Sequence, residues 1–310
     1  MINFRYHIVS LMAVFLALAL GIVLGVTLLS DPANETIQSA ASADRKELQD
    51  IRAELTQRNA LDAYRDNYAE KVGLPLITNA LQGDSVAVIA MPGAPTRVVS
   101  TISQAVTAAG GEVVSNVEVS RNVFDTTKKA EVAGVMRPLA ARIGVAADAT
   151  LATQYGAVLA QGLLAPTAGP VDAASTELLK GLSAARLVSV DSKVTQRASL
   201  AIVVTAPAAT PGDQKPGNDV ITAHTQAELA LRPGSNGVVV AGPNSLDVAG
   251  TDVQVLRTAG PDAEKLSTVD VADLPSGVTT TVLALQEQSL DGQGHYGATG
   301  DAVAPDLPIR

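Results

Sequence analysis

"SVAVIAMPGAPT", residues 85–96, decides the reading of the fold. Val86 to Met91 is unbroken apolar sequence, then Pro92-Gly93 and Pro95 interrupt it, and a helix-like stretch opens at Thr96. A strand that does not alternate with polar residues is buried on both faces, which is the habit of parallel sheets. Pro-Gly is a turn signal. Similar short apolar runs return in "EVVSNVEV" (112–119), "RLVSV" (186–190), "SLAIVVTA" (199–206), "NGVVVAG" (236–242) and "DVQVLR" (252–257). Helix-like stretches lie between them at 96–109, 126–143, 149–164, 173–185, 219–232 and 274–289. Strands interleaved with helices predict an α/β domain over 83–290: a Rossmann-like, three-layer arrangement with a mostly parallel sheet. "PAATPGDQKPGN" (207–218) reads as an exposed loop, and the Gly- and Pro-rich end, 291–310, as a loosely held tail.

Upstream of this domain the texture is different. Residues 34–72 contain no Gly and no Pro, and Leu48, Ile51 and Leu55 have the spacing of a coiled-coil seam, with Ile37 and Ala41 fitting upstream. Arg58 and Asp62 break the seam, and Leu61, Tyr64 and Tyr68 resume it out of register. A helical stalk over 30–72 is therefore expected, either a solvated spacer or, with more support, a parallel coiled-coil dimer. Gly73 and Pro75 are expected to end it.

Further upstream, Ile8 to Leu29 carry no charge, and only Ser10 and Thr27 are polar. As a helix these 22 residues extend roughly 33 Å, enough to cross a bilayer. A signal-peptide core is about 7–15 residues and ends at a small-x-small cleavage site. This run instead passes Gly25 and ends on Leu28-Leu29, so an uncleaved anchor over 8–29 is expected. Arg5 precedes the span and Asp31 and Glu35 follow it, which places 1–7 in the cytoplasm and the rest outside. Within "AVFLALALGIVLG" (13–25), Ala13, Ala17, Gly21 and Gly25 recur every fourth residue. Small residues let two membrane helices approach closely, so this stripe is the expected helix–helix contact of a homodimer.

Composition excludes several function classes. There is no Cys, hence no disulfide, thiolate ligand or Cys nucleophile. Net charge is −9, with nine acids and six bases in 31–72 and 22 acids and 15 bases in 73–310, which argues against nucleic acid and anionic lipid as partners. There is no Trp, and aromatics are 3% of residues, too few for a stacking platform. "GQGHYG" (292–297) has dinucleotide-type glycine spacing, but follows a helix and lies 13 residues before the last residue, without the strand–loop–helix context that the chemistry needs. "AMPGAPT" (90–96) and "VAGPNS" (240–245) are better placed as site loops, because ligands of open α/β sheets collect at the strands' carboxyl ends. No Gly-x-Ser-x-Gly elbow and no His-Glu-x-x-His pair is present, and no enzyme or required cofactor is expected.

Five landmarks carry a family resemblance: "NFRYHIVSLMAVFLALALGIVLG" (3–25), "AGGEVV" (109–114), "STVD" (267–270), "TTTVLALQEQ" (279–288) and "GHYG" (294–297). In this order they resemble the actinobacterial copper transport protein B family, MctB, nearly end to end. The family includes the SteB proteins of cell division. The resemblance implies copper homeostasis or efflux, under a label of outer-membrane copper channel. Its SteB branch implies a coiled-coil scaffold that binds SteA and helps control peptidoglycan hydrolysis. The residues fit a pore poorly: a membrane barrel needs about ten-residue alternating strands, and the one apolar helix has no polar face. Copper ligands are sparse too. Beyond the apolar span, in residues 30–310, only Met91, Met136, His224 and His295 offer soft or imidazole donors, with His224 and His295 the candidate metal ligands. A non-pore component of copper handling at the cell membrane is the leading expectation.

Overall fold

The computed structural model describes residues 4–191, 194–208, 217–244, 250–261 and 265–299, without the side chains of Phe4 and 26–39. The chain divides into two compact units, 1–65 and 66–310. The first is helical. It holds most of α1 (Phe4–Ile77), whose segment Arg5–Gly25 has mean hydropathy 2.7 and is long and apolar enough to cross a membrane. Side chains 26–29 of the expected span lie outside the described residues.

The second unit is built on a seven-stranded sheet. β1 (Ser85–Ala90), β2 (Glu112–Val119), β4 (Val188–Val190), β6 (Leu200–Val204), β7 (Gly237–Ala241), β8 (Ser267–Val269) and β9 (His295–Tyr296) lie in the order β4-β2-β1-β6-β7-β8-β9. All neighbours are parallel except β2 and β4. A small antiparallel ribbon pairs β3 (Gly169–Pro170) with β5 (Gln196–Arg197). Period-two alternation divides the strand residues between two cores. Ala87, Ile89, Ala201, Val203, Val238 and Val240 face α3 (Lys129–Arg142), α4 (Leu151–Leu163), α5 (Ala173–Ala184), α6 (Asn218–Leu229) and α7 (Asp252–Thr258). Val86, Val88, Ile202, Val204 and Val239 face α2 (Thr96–Ala108), α8 (Pro275–Ser289) and Ile77 at the end of α1. This is the α/β sandwich that the apolar runs predict, and every helix-like stretch forms a helix.

Three boundaries differ from the sequence reading. "DVQVLR" forms α7, not a strand. Thr251 Oγ1 accepts from the Gln254 N–H as an N-cap, and Val253 and Leu256, at helical spacing, enter the core. The strand position is taken by Ser267–Val269, too short to show a period. α1 does not stop at Gly73 and Pro75. Gly73 is the point where α1 crosses α8, since a Cβ there would overlap Thr279 Oγ1. The chain leaves α1 only after Ile77, and Asn79 takes the left-handed conformation (φ 62°). Finally, 291–299 is not loose: His295–Tyr296 is the edge strand β9, paired with β8. Residues 300–310, and 209–216 of the expected loop, lie outside the described residues.

Candidate functional site

Chain order runs outward from β1 to β2 and β4, then returns to β6 beside β1. The switch point therefore falls between β1 and β6, with its crevice at their carboxyl ends. The "AMPGAPT" loop lines that crevice. Met91 N–H donates to the Val204 carbonyl at 2.8 Å, and Gly93 takes φ 89° where a Cβ would press on Ala206. The "VAGPNS" loop leaves β7 alongside. Gly242 is wedged between Thr205 Oγ1 and Val253, its N–H donates to Val269, and its carbonyl accepts from Ala272. Ser245 lies outside the described residues.

The polar interior holds two clusters. In the first, His224 on α6 lies with Nδ1 at 3.2 and 3.3 Å from the two carboxylate oxygens of Asp252, the first residue of α7. Phe124 closes over the imidazole edge-to-face at 4.3 Å between ring centres. One turn along α6, Glu228 is 1% exposed and both its oxygens lack a hydrogen-bond partner. Burial, then the Asp252 charge, raise its pKa well above the usual carboxylate range, which favours the protonated acid.

The second cluster explains several landmarks of the resemblance. Arg257 on α7 donates to Asp270 at 2.8 Å, and both side chains are almost wholly buried. The same guanidinium holds Thr268, the Tyr296 carbonyl and Thr299. Asp270 also accepts from the Ala298 N–H and from Thr299. Burial raises its pKa, but hydrogen bonds from Thr299 and Ala298 and the Arg257 charge outweigh this and leave it below the usual range. A Cβ on Gly297 (φ 147°) would overlap Asp270 Oδ1. Tyr296 donates to Glu287, and Ser267 Oγ is shared by Gln288 and the Gly294 N–H. "STVD", the end of "TTTVLALQEQ" and "GHYG" are thus one interlocking joint between β8, α8 and β9. They are scaffold residues. Arg257, the hub of this joint, gave no signal in the sequence.

The candidate metal ligands are not brought together. His224 Nδ1 faces Asp252, while His295 Nδ1 lies 2.9 Å from Thr268 Oγ1 on β8. Met91 and Met136 are packed in the core on the α4 side of the sheet. Among the described residues no group of three or more His, Asp or Glu side chains is arranged to hold a metal ion. The small stripe and the stalk seam lie open on α1: a Cβ on Gly21 or Gly25 meets nothing within 4 Å, Ala13 and Ala17 are exposed, and Leu48, Ile51 and Leu55 are about half exposed.

Residues 1–306 match the family described as "Copper transport outer membrane protein, MctB". Among characterised relatives, the copper transporter MctB of Mycobacterium tuberculosis (strain ATCC 25618 / H37Rv) is 30% identical, covering 98% of this chain and 98% of its own. The Mycobacterium bovis protein of the same name matches equally, and that of Mycobacterium leprae is 28% identical over 99% of this chain and all of its own.

Proposed function

Because the chain belongs to the MctB copper transport family, we propose that it serves copper homeostasis at the cell envelope, anchored by α1, as a component that is not itself the pore. MctB is a transporter family, not an enzyme family. The match over residues 1–306 carries the copper assignment. Two physical features support a non-pore role. One helix among the described residues suits a membrane, and its apolar segment offers no polar face to ions. In the 66–310 unit every residue of β6 and β7 is buried, so no water-lined path runs between these two central strands. The positive flank at Arg5 favours a cytoplasmic N-terminus with residues beyond the span on the other side.

Copper is the cargo in this reading. The test is cell-associated copper in a deletion strain complemented with wild type or with the double variant His224→Ala/His295→Ala, at matched protein levels. Copper is expected to rise on deletion and to return to normal with both versions. Failure of the double variant alone means that imidazoles handle the metal directly. No change on deletion rejects the copper role.

A second reading, a dimeric envelope scaffold with a SteA-like partner, is favoured by the exposed stalk seam. With Leu48 and Leu55 at a and Ile51 at d, Glu47 falls at g and Arg52 at the following e. In a parallel pair these residues meet across the two chains with opposite charge, whereas an antiparallel pair sets like against like.

A further inference from the structure

We propose that the open groove between the carboxyl end of β2 and the turn from α5 into β4 binds a phosphoryl-bearing small molecule. The groove, of about 710 Å³, is walled by the 92–94 loop and by Ser120, Arg121, Ser183, Arg186 and Ser189, with Glu118 the one acid on its lining. It lies on the crevice side of the sheet, where open α/β folds collect ligands, and its volume falls in the range that holds small molecules.

Three observations assign it an anion. First, two arginines line one groove in a chain of net charge −9. Neither guanidinium makes an ion pair or hydrogen bond with the described residues. Second, Arg186 sits at φ 55°, the position that ends α5, where Leu187 N–H returns to Leu182 and Arg186 N–H to Ser183. Glycine suits that position, and a bulky cation held there places charge at the rim at a cost in backbone energy. Third, α2 follows the 92–94 loop and has no side-chain N-cap, so its positive end beside the groove is uncompensated. Two forked guanidinium donors flanked by hydroxyls can serve all three terminal oxygens of a tetrahedral phosphoryl group, whereas a carboxylate presents only two.

The experiment is 31P NMR titration of inorganic phosphate onto the full chain in maltoside micelles, which carry no anion, at constant ionic strength. Saturable binding is expected, weakened roughly tenfold by Arg121→Ala or Arg186→Ala and tightened by Glu118→Gln. Arg142→Ala, which removes an arginine that is paired with Glu177 and is not on the groove lining, is expected to leave it unchanged. Acetate, added at the same concentrations, is expected not to displace phosphate. Absence of saturable binding overturns the proposal. So does binding that survives the double arginine variant with its thermal unfolding unchanged, or binding that acetate displaces equally well.

Discussion

Two buried carboxyls respond to pH in opposite directions. Asp270 is held ionised by Arg257, Thr299 and the Ala298 N–H, and its folded pKa lies below the unfolded value. The stability it contributes is present above the unfolded pKa, near 4, and is lost as pH falls through the folded value. Asp270→Asn leaves Arg257 buried without its counter-charge and should cost about 3 kcal/mol at pH 7. Chemical denaturation from pH 7 to pH 3 should show that difference shrinking as the wild-type carboxylate protonates. Glu228 is the reverse case. Its folded pKa is raised, so the folded state holds a proton that the unfolded chain releases, and stability falls as pH rises above the unfolded pKa. The penalty grows by about 1.4 kcal/mol per pH unit until the folded pKa is reached. Glu228→Gln keeps the shape and removes the titration. It should match wild type near pH 4 and exceed its unfolding midpoint at pH 7 to 8.

At the scale of elements, the proposed membrane contact and the proposed stalk seam on α1 do not share a face. Gly21 and Leu55 are 34 residues apart, which at about 100° per residue sets them about 160° apart around a straight helix. One partner cannot cover both without coiling around α1. The stalk contact and the membrane contact are therefore expected to be separable. Leu48→Asp/Leu55→Asp should abolish crosslinking through cysteines introduced on the stalk, and Gly21→Leu should leave that crosslinking intact. Loss of stalk crosslinking in both variants would mean that a single supercoiled interface runs the length of the helix.

Over the whole molecule, the C-terminal segment closes the sheet and fills the pocket around Arg257. Truncation after Gly294 removes β9, the Tyr296 carbonyl and Thr299, leaving Arg257 with Thr268 and Asp270 alone. The truncated chain should unfold several degrees lower by circular dichroism, about 3 kcal/mol less stable. An unchanged melting temperature would mean that β9 is dispensable to the sheet.

The sequence by itself determined the apolar span, the long helix after it and the α/β class, because each rests on local periodicity or continuous apolar runs that the fold then buries. The motif order also determined the family. Tertiary structure decided what those motifs do. The role of Gly73 depends on Thr279 more than 200 residues away, and "DVQVLR" became α7 because Thr251 caps it while "STV" takes the strand position. "GHYG" reads as a loose tail until Asp270 and Arg257 are set beside it. Arg121 and Arg186 line one groove only because β2 and β4 are neighbours in the sheet. Such pairings come from strand order, and strand order leaves no trace in the spacing of residues along one segment.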